Sequence, residues 1–173
     1  RPSASLPARS SKAANVPASK QGVFGYGDIW TWVAIDSNTK LVPSWRVGPR
    51  DAMTAYDFMQ DLAVRLRHRV QLTTDGLKVY LNAVEDAFGA DIDYAMLQKV
   101  YGSDPQAEKR YSPAKIQSST TEVIIGSPNP RLISTSYVER QNLTMRMSMR
   151  RFTRLTNAFS KKLENHIASI SLY

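Results

Sequence analysis

Apolar and polar positions along this chain follow two periods, and each stretch declares its own. The run Asp28–Ile35 (DIWTWVAI) is almost continuously apolar and aromatic, which predicts a strand buried on both faces. The polar DSNT at 36–39 predicts a turn. Lys40–Val47 (KLVPSWRV) reads as the returning strand, pushed by Pro43 toward an edge or a bulge. Gly48-Pro49-Arg50-Asp51 then opens a helix with Asp51 as N-cap. Ala52, Ala55, Tyr56, Met59, Leu62, Ala63 and Leu66 recur at helical spacing, so that helix is expected to run to about Arg67. Its basic end, Arg65 to Arg69, suits a helix C-terminus.

Val70–Asp75 (VQLTTD) predicts a short strand ending in an acid, and Gly76 lets the chain turn at once into a helix over Leu77–Phe88. Asp91–Tyr101 predicts a further strand, 102–119 a polar loop, Thr121–Ile125 a strand and Gly126–Pro130 a turn. A helical segment opening near Tyr137 runs to about Ile170, with a break expected near Thr156. Strands alternating with helices in this way predict a mixed α/β sandwich.

The helical segment carries two stripes. Val138, Met145, Met149, Phe152 and Phe159 form an apolar one that requires a core. Glu139, Asn142, Leu143, Arg146, Arg150 and Thr153 form its neighbour, with a single acid at the head. An acid in a first turn is favoured by the helix dipole without any ligand, and the methionines read as packing. The two histidines, His68 and His166, are expected at the surface. Trp30, Trp32 and Trp45 sit in strand-like runs and are expected in the core.

Composition narrows the partners. The 173 residues support one domain with a sizeable core. Lys and Arg number 23 against 15 Asp and Glu, a net charge of +8, which favours a polyanionic partner, nucleic acid before membrane. There is no cysteine, so disulfides, thiolate-bound zinc and thiol catalysis are excluded. No apolar run approaches the ~20 residues that span a bilayer, and a cytoplasmic setting is expected. Residues 1–22 hold no acid and only scattered apolar positions, broken by Pro2, Pro7 and Pro17. They are expected to be disordered, with order beginning near Val23.

Asp75 ends a strand, where carboxylates point into the crevice in which α/β sheets bind ligands. Asp-Gly is equally an ordinary turn. Should the later helix dock against that strand end, Asp75 and Glu139 could share a divalent ion. Hard oxygen ligands suit Mg²⁺ or Mn²⁺, and two such ions about 3.5–4 Å apart support in-line displacement at phosphorus. Arg146 and Arg150 would then clamp the strand being cut.

These residues resemble the transposases of small bacterial insertion sequences, specifically the insertion-sequence-one family. The resemblance runs through GDIWTWVAIDSNTKLVPSW at 27–45, FMQDLAVRL at 58–66, VQLTTDG at 70–76, DIDYAMLQKVYG at 91–102, RYSP at 110–113 and ISTSYVERQNLTMRMSMRRFTRLTNAFSKK at 133–162. It implies a ribonuclease H-like catalytic domain, here 23–173 and truncated at both ends, whose mixed sheet is flanked by helices. It also implies an Asp, Asp, Glu set binding two Mg²⁺ (or Mn²⁺) ions, with DNA cleavage and strand transfer as the activity. Asp75 in TTDG resembles the second acid and Glu139 in YVERQN the third, both as metal ligands. DNA contacts are expected from Asn142, Arg146, Arg150, Arg154 and Lys161. The implied partners are transposon-end and target DNA, in a bacterial, nucleoid-associated setting, together with further copies of the chain.

The first acid of that family lies on the strand before GDIWTWVAID, and no acid stands there in this chain. Asp36 is the nearest substitute, though its place at a strand-to-turn junction reads first as structural; Asp28 is weaker. The first strand is therefore expected to be missing or altered, as a frameshift in the gene before about Lys12 would make it. Translation of the upstream DNA in the other frames tests this: finding no Asp-Glu-x-Trp strand there sinks the idea. Two readings remain, a transposase with weak or no strand transfer and a catalytically dead DNA-binding form.

Overall fold

In a computed structural model of the chain, the described residues are 2–9, 18–20, 29–102, 115–152 and 162–173. Six strands form, β1 (Pro2–Arg9), β2 (Trp30–Asp36), β3 (Ser44–Gly48), β4 (Val70–Asp75), β5 (Ile92–Gly102) and β6 (Lys115–Ile125). They make one sheet in the order β3-β2-β1-β4-β5-β6. β1 and β3 each run antiparallel to β2, whereas β1, β4 and β5 are parallel, and β6 returns antiparallel along β5. Helices α1 (Ala52–Arg65), α2 (Val79–Phe88), α3 (Ser136–Ser148) and α4 (Leu163–Ser171) complete an α/β fold with a mixed sheet flanked by helices.

The two-residue period of β2 divides the core. Trp32 and Ala34 face α1 and α2, in a cluster with Phe58, Met59, Leu62, Leu72, Tyr80, Val84, Ile92 and Tyr94. Val33 and Ile35 point to the opposite face and pack on Val138 and Met145 of α3, with Met149 and Phe152 beside them. The apolar stripe read from the sequence is thus the face by which α3 docks. α1 starts as expected, with Asp51 Oδ1 accepting from the Thr54 N–H at 2.8 Å, a cap worth about 1 kcal/mol. Its buried face is rotated from the expected one: Thr54, Ala55, Phe58, Met59 and Leu62 are buried, while Tyr56 is exposed.

Several expectations are corrected. Pro2–Arg9, read as disordered, form β1, and they do so in the middle of the sheet. Composition could not signal this, because β1 gains its backbone partners from β2 on one side and β4 on the other rather than from an apolar period of its own. Its register shifts between Ser5 and Ala8, where Pro7 has no N–H to give to a ladder. A strand therefore does precede Trp30 in the chain, and its sequence, PSASLPAR, contains no acid. Of the remainder of 1–22, Ala18–Lys20 form a 3-10 turn and the rest lies outside the described residues.

Residues 115–119, read as loop, belong to β6, an edge strand whose QSSTT stretch is exposed. A solvated edge needs no alternation, so none was there to read. α3 ends at Ser148, earlier than the expected break, and a 3-10 turn follows over Arg150–Phe152. Thr144 Oγ1 donates to the Arg140 carbonyl and Ser148 Oγ to the Thr144 carbonyl, and such back-bonding weakens a helix end. Phe159 lies outside the described residues. His166, expected at the surface, is buried, with its ring edge-on to Phe152 at 4.8 Å. Among the described residues no helix is long and apolar enough to cross a membrane.

Candidate functional site

Asp75 closes β4 at the edge of a cavity of about 560 Å³. Thr73 and Asp75 alternate with Leu72 and Thr74, so they lie on the face that α3 covers. Gly76 leaves room for Gln98, whose side chain a Cβ there would meet at 3.1 Å. Asp75 Oδ1 accepts the Leu77 N–H at 3.1 Å, an Asx-type turn that fixes the carboxylate's direction. Its charge is felt behind the sheet. Burial first, and the negative charge of Asp75 second, hold the Tyr80 hydroxyl protonated well above the ordinary range. Burial likewise pushes Tyr94 up to about 12, against a 2.7 Å hydrogen bond to Thr74 Oγ1 that lowers it, with Asp75 adding a smaller upward push.

Glu139 reaches the same cavity from the first turn of α3. Its Oε1 accepts from Thr135 Oγ1 at 2.6 Å and from Lys99 Nζ at 2.7 Å. The Lys99 side chain is only 12% exposed against 42% for Glu139, so the ion pair faces the cavity from the carboxylate side. Leu97 pairs with Asp75 across β4 and β5. Lys99, two residues on, therefore stands on the same face one pleat beyond. Sequence reasoning did not find Lys99; only the β4–β5 register reveals it. Arg50 and Trp30, also not singled out as ligand contacts, line the cavity as well, the guanidinium 5.4 Å from the ring centre. That spacing is within cation–π range.

The remaining candidates divide. Asn142, buried, and Arg146, exposed, both line the cavity with Leu143, as the polar stripe of α3 predicts. Arg150 is exposed and belongs to the 3-10 turn beyond the helix end; it is not among the lining residues. Arg154, Lys161 and Asp28 lie outside the described residues.

Asp36 is a turn residue. Its carboxylate accepts from the Asn38 N–H at 3.1 Å and from Thr39 Oγ1 at 2.6 Å. It pairs with Pro2, whereas Thr73 pairs with Ser3, so it is three residues and two strand spacings from the level of Asp75. That is about 10 Å in each direction, too far to share an ion.

The donor set decides what could bind. Asp75 and Glu139 are the two carboxylates among the described lining residues, and Lys99 already engages one of them. Among the described residues no group of three or more His, Cys, Asp or Glu side chains could hold a metal ion. Counting two residues along each parallel strand from the Ser3–Thr73 pair brings Ser5 level with Asp75, and β1 offers no acid there or anywhere else. The described residues alone do not fit a two-ion site, which draws on more carboxylates than these. Among the described lining residues three cations, Arg50, Lys99 and Arg146, stand against the two acids, a balance suited to an anionic backbone. No protein-family model matches the chain, and no curated protein matches it significantly.

Proposed function

We propose that this chain is a ribonuclease H-like domain of the insertion-sequence-one transposase type that holds DNA in the Asp75–Glu139 cavity without the carboxylates that two-metal cleavage requires. The carrying observation is the convergence of Asp75, from TTDG, and Glu139, from YVERQN, on one cavity. The resemblance assigns these two residues as the second and third acids. A central strand precedes the Trp30 strand, in the place where the resemblance puts the first acid, and it carries serines instead. Asn142 and Arg146 follow Glu139 along α3, so a strand lying in the cavity meets an amide and a guanidinium after the carboxylate. Arginine's planar fork suits a phosphate.

Binding of a fluorescein-labelled duplex, followed by anisotropy, tests this reading. Arg146→Ala is expected to weaken binding and to reduce the slope of log K against log salt by about 1. Arg67→Ala, exposed just beyond α1 and not among the lining residues, is expected to change little. Equal effects of the two substitutions would remove the cavity from the binding surface.

A further inference from the structure

We infer that Lys99 is the cation this cavity uses in place of a divalent ion, so that it accepts a DNA phosphate without metal. The inference rests on the cavity being a DNA site, and it extends that reading from what is bound to how the charge is balanced. Lys99 Nζ lies 2.7 Å from Glu139 Oε1, on the carboxylate assigned as a metal ligand. That oxygen accepts from Thr135 as well, so it has little capacity left for an incoming ion.

A divalent ion taken on the other oxygen of Glu139 would sit close beside an ammonium whose side chain is 12% exposed. Like charges that close repel strongly in a partly desolvated site. The site also lacks a carboxylate on β1 that could offset this repulsion. With Lys99 in place the cations among the described lining residues already outnumber the acids, which is the condition a phosphodiester needs. Lys99 thus positions Glu139 and neutralises it, whereas Arg146 and Arg50 remain to meet the backbone.

Manganese alone, titrated into the full chain and read by the EPR signal of the free ion, tests Lys99 apart from DNA. Lys99→Met is expected to bind Mn²⁺ at least about tenfold more tightly than the unaltered protein, a shift of about 1.4 kcal/mol. The gain is expected to disappear in the Lys99→Met, Glu139→Gln double variant. Lys99→Gln, which keeps a donor and removes the charge, repeats the comparison should the methionine variant fold poorly. Equal Mn²⁺ affinity with and without the lysine charge overturns the inference.

A second arm compares oligonucleotide anisotropy in EDTA and in Mg²⁺. The unaltered protein is expected to bind within about twofold in the two buffers, while Lys99→Met binds more weakly in EDTA and recovers with Mn²⁺. Binding by the unaltered protein that requires Mg²⁺ overturns the inference too. If the unaltered protein binds no oligonucleotide in either buffer, the DNA reading falls, and the manganese titration still decides the role of Lys99.

Discussion

Glu139 Oε1 accepts hydrogen bonds from Thr135 and Lys99 together, so the position of the carboxylate is set from two sides. Thr135 is 1% exposed; Thr135→Val keeps its shape and deletes the donor. An expected loss of about 1 kcal/mol would appear as a lower urea midpoint at unchanged m-value. Away from the cavity, Asp61 is held below the usual carboxylate range chiefly by its hydrogen bonds from Arg65, with Ser44 assisting. Asp93 is held down by Arg69 first and by the Ser127 N–H second. A depressed folded pKa contributes stability that is full above the unfolded value, about 3.9 for aspartate, and is lost as pH falls through the folded value. Urea midpoints are therefore expected to fall steeply below about pH 4 and to fall less in Asp61→Asn; identical acid limbs would contradict this.

At this scale the sequence was informative where chemistry coincides with a boundary. Asp75 stands at a strand end before glycine and Glu139 in a helix's first turn, and both positions can be read from spacing. Lys99 lies inside an unbroken strand, and nothing in DIDYAMLQKVY distinguishes it until β5 is registered against β4.

Among the elements, α3 explains why the cavity exists. Its apolar stripe anchors it on Val33 and Ile35, and the helical period then turns Glu139, Asn142 and Arg146 toward the end of β4. Both stripes were legible as far as the helix runs, to Ser148, because over that length they follow one period. The helix end was not, because it is set by side chains bonding back to carbonyls at Thr144 and Ser148. β1 was illegible for a different reason: a strand paired on both sides can form from PSASLPAR without any apolar period. The turn after β6 is equally constrained. Gly126 has φ +70°, and a Cβ there would meet the Ile92 carbonyl at 2.8 Å while crowding the Arg69–Asp93 pair. Gly126→Ala is expected to destabilise by about 2 kcal/mol or more, measured by urea unfolding; a cost under about 0.5 kcal/mol would show that the turn relaxes freely.

For the molecule as a whole, the sheet order brings together residues that are far apart in the chain. β1, from the first residues, separates β2 from β4, and α3 packs over it from the opposite end of the sequence. The positive charge excess pointed to nucleic acid without saying where, and the fold concentrates three of those cations around two acids. We propose that this is a DNA site of the transposase kind, short of one carboxylate on β1. Ser3 pairs with Thr73, and two residues along the parallel strands Ser5 comes level with Asp75, so Ser3→Asp and Ser5→Asp, made singly, offer the missing acid. The most direct measurement is nicking of supercoiled plasmid in Mn²⁺. No nicking is expected from the unaltered protein above an Asp75→Ala control, and Asp75-dependent nicking is expected from at least one of the two aspartate variants. Robust nicking by the unaltered protein that Asp75→Ala abolishes would contradict it.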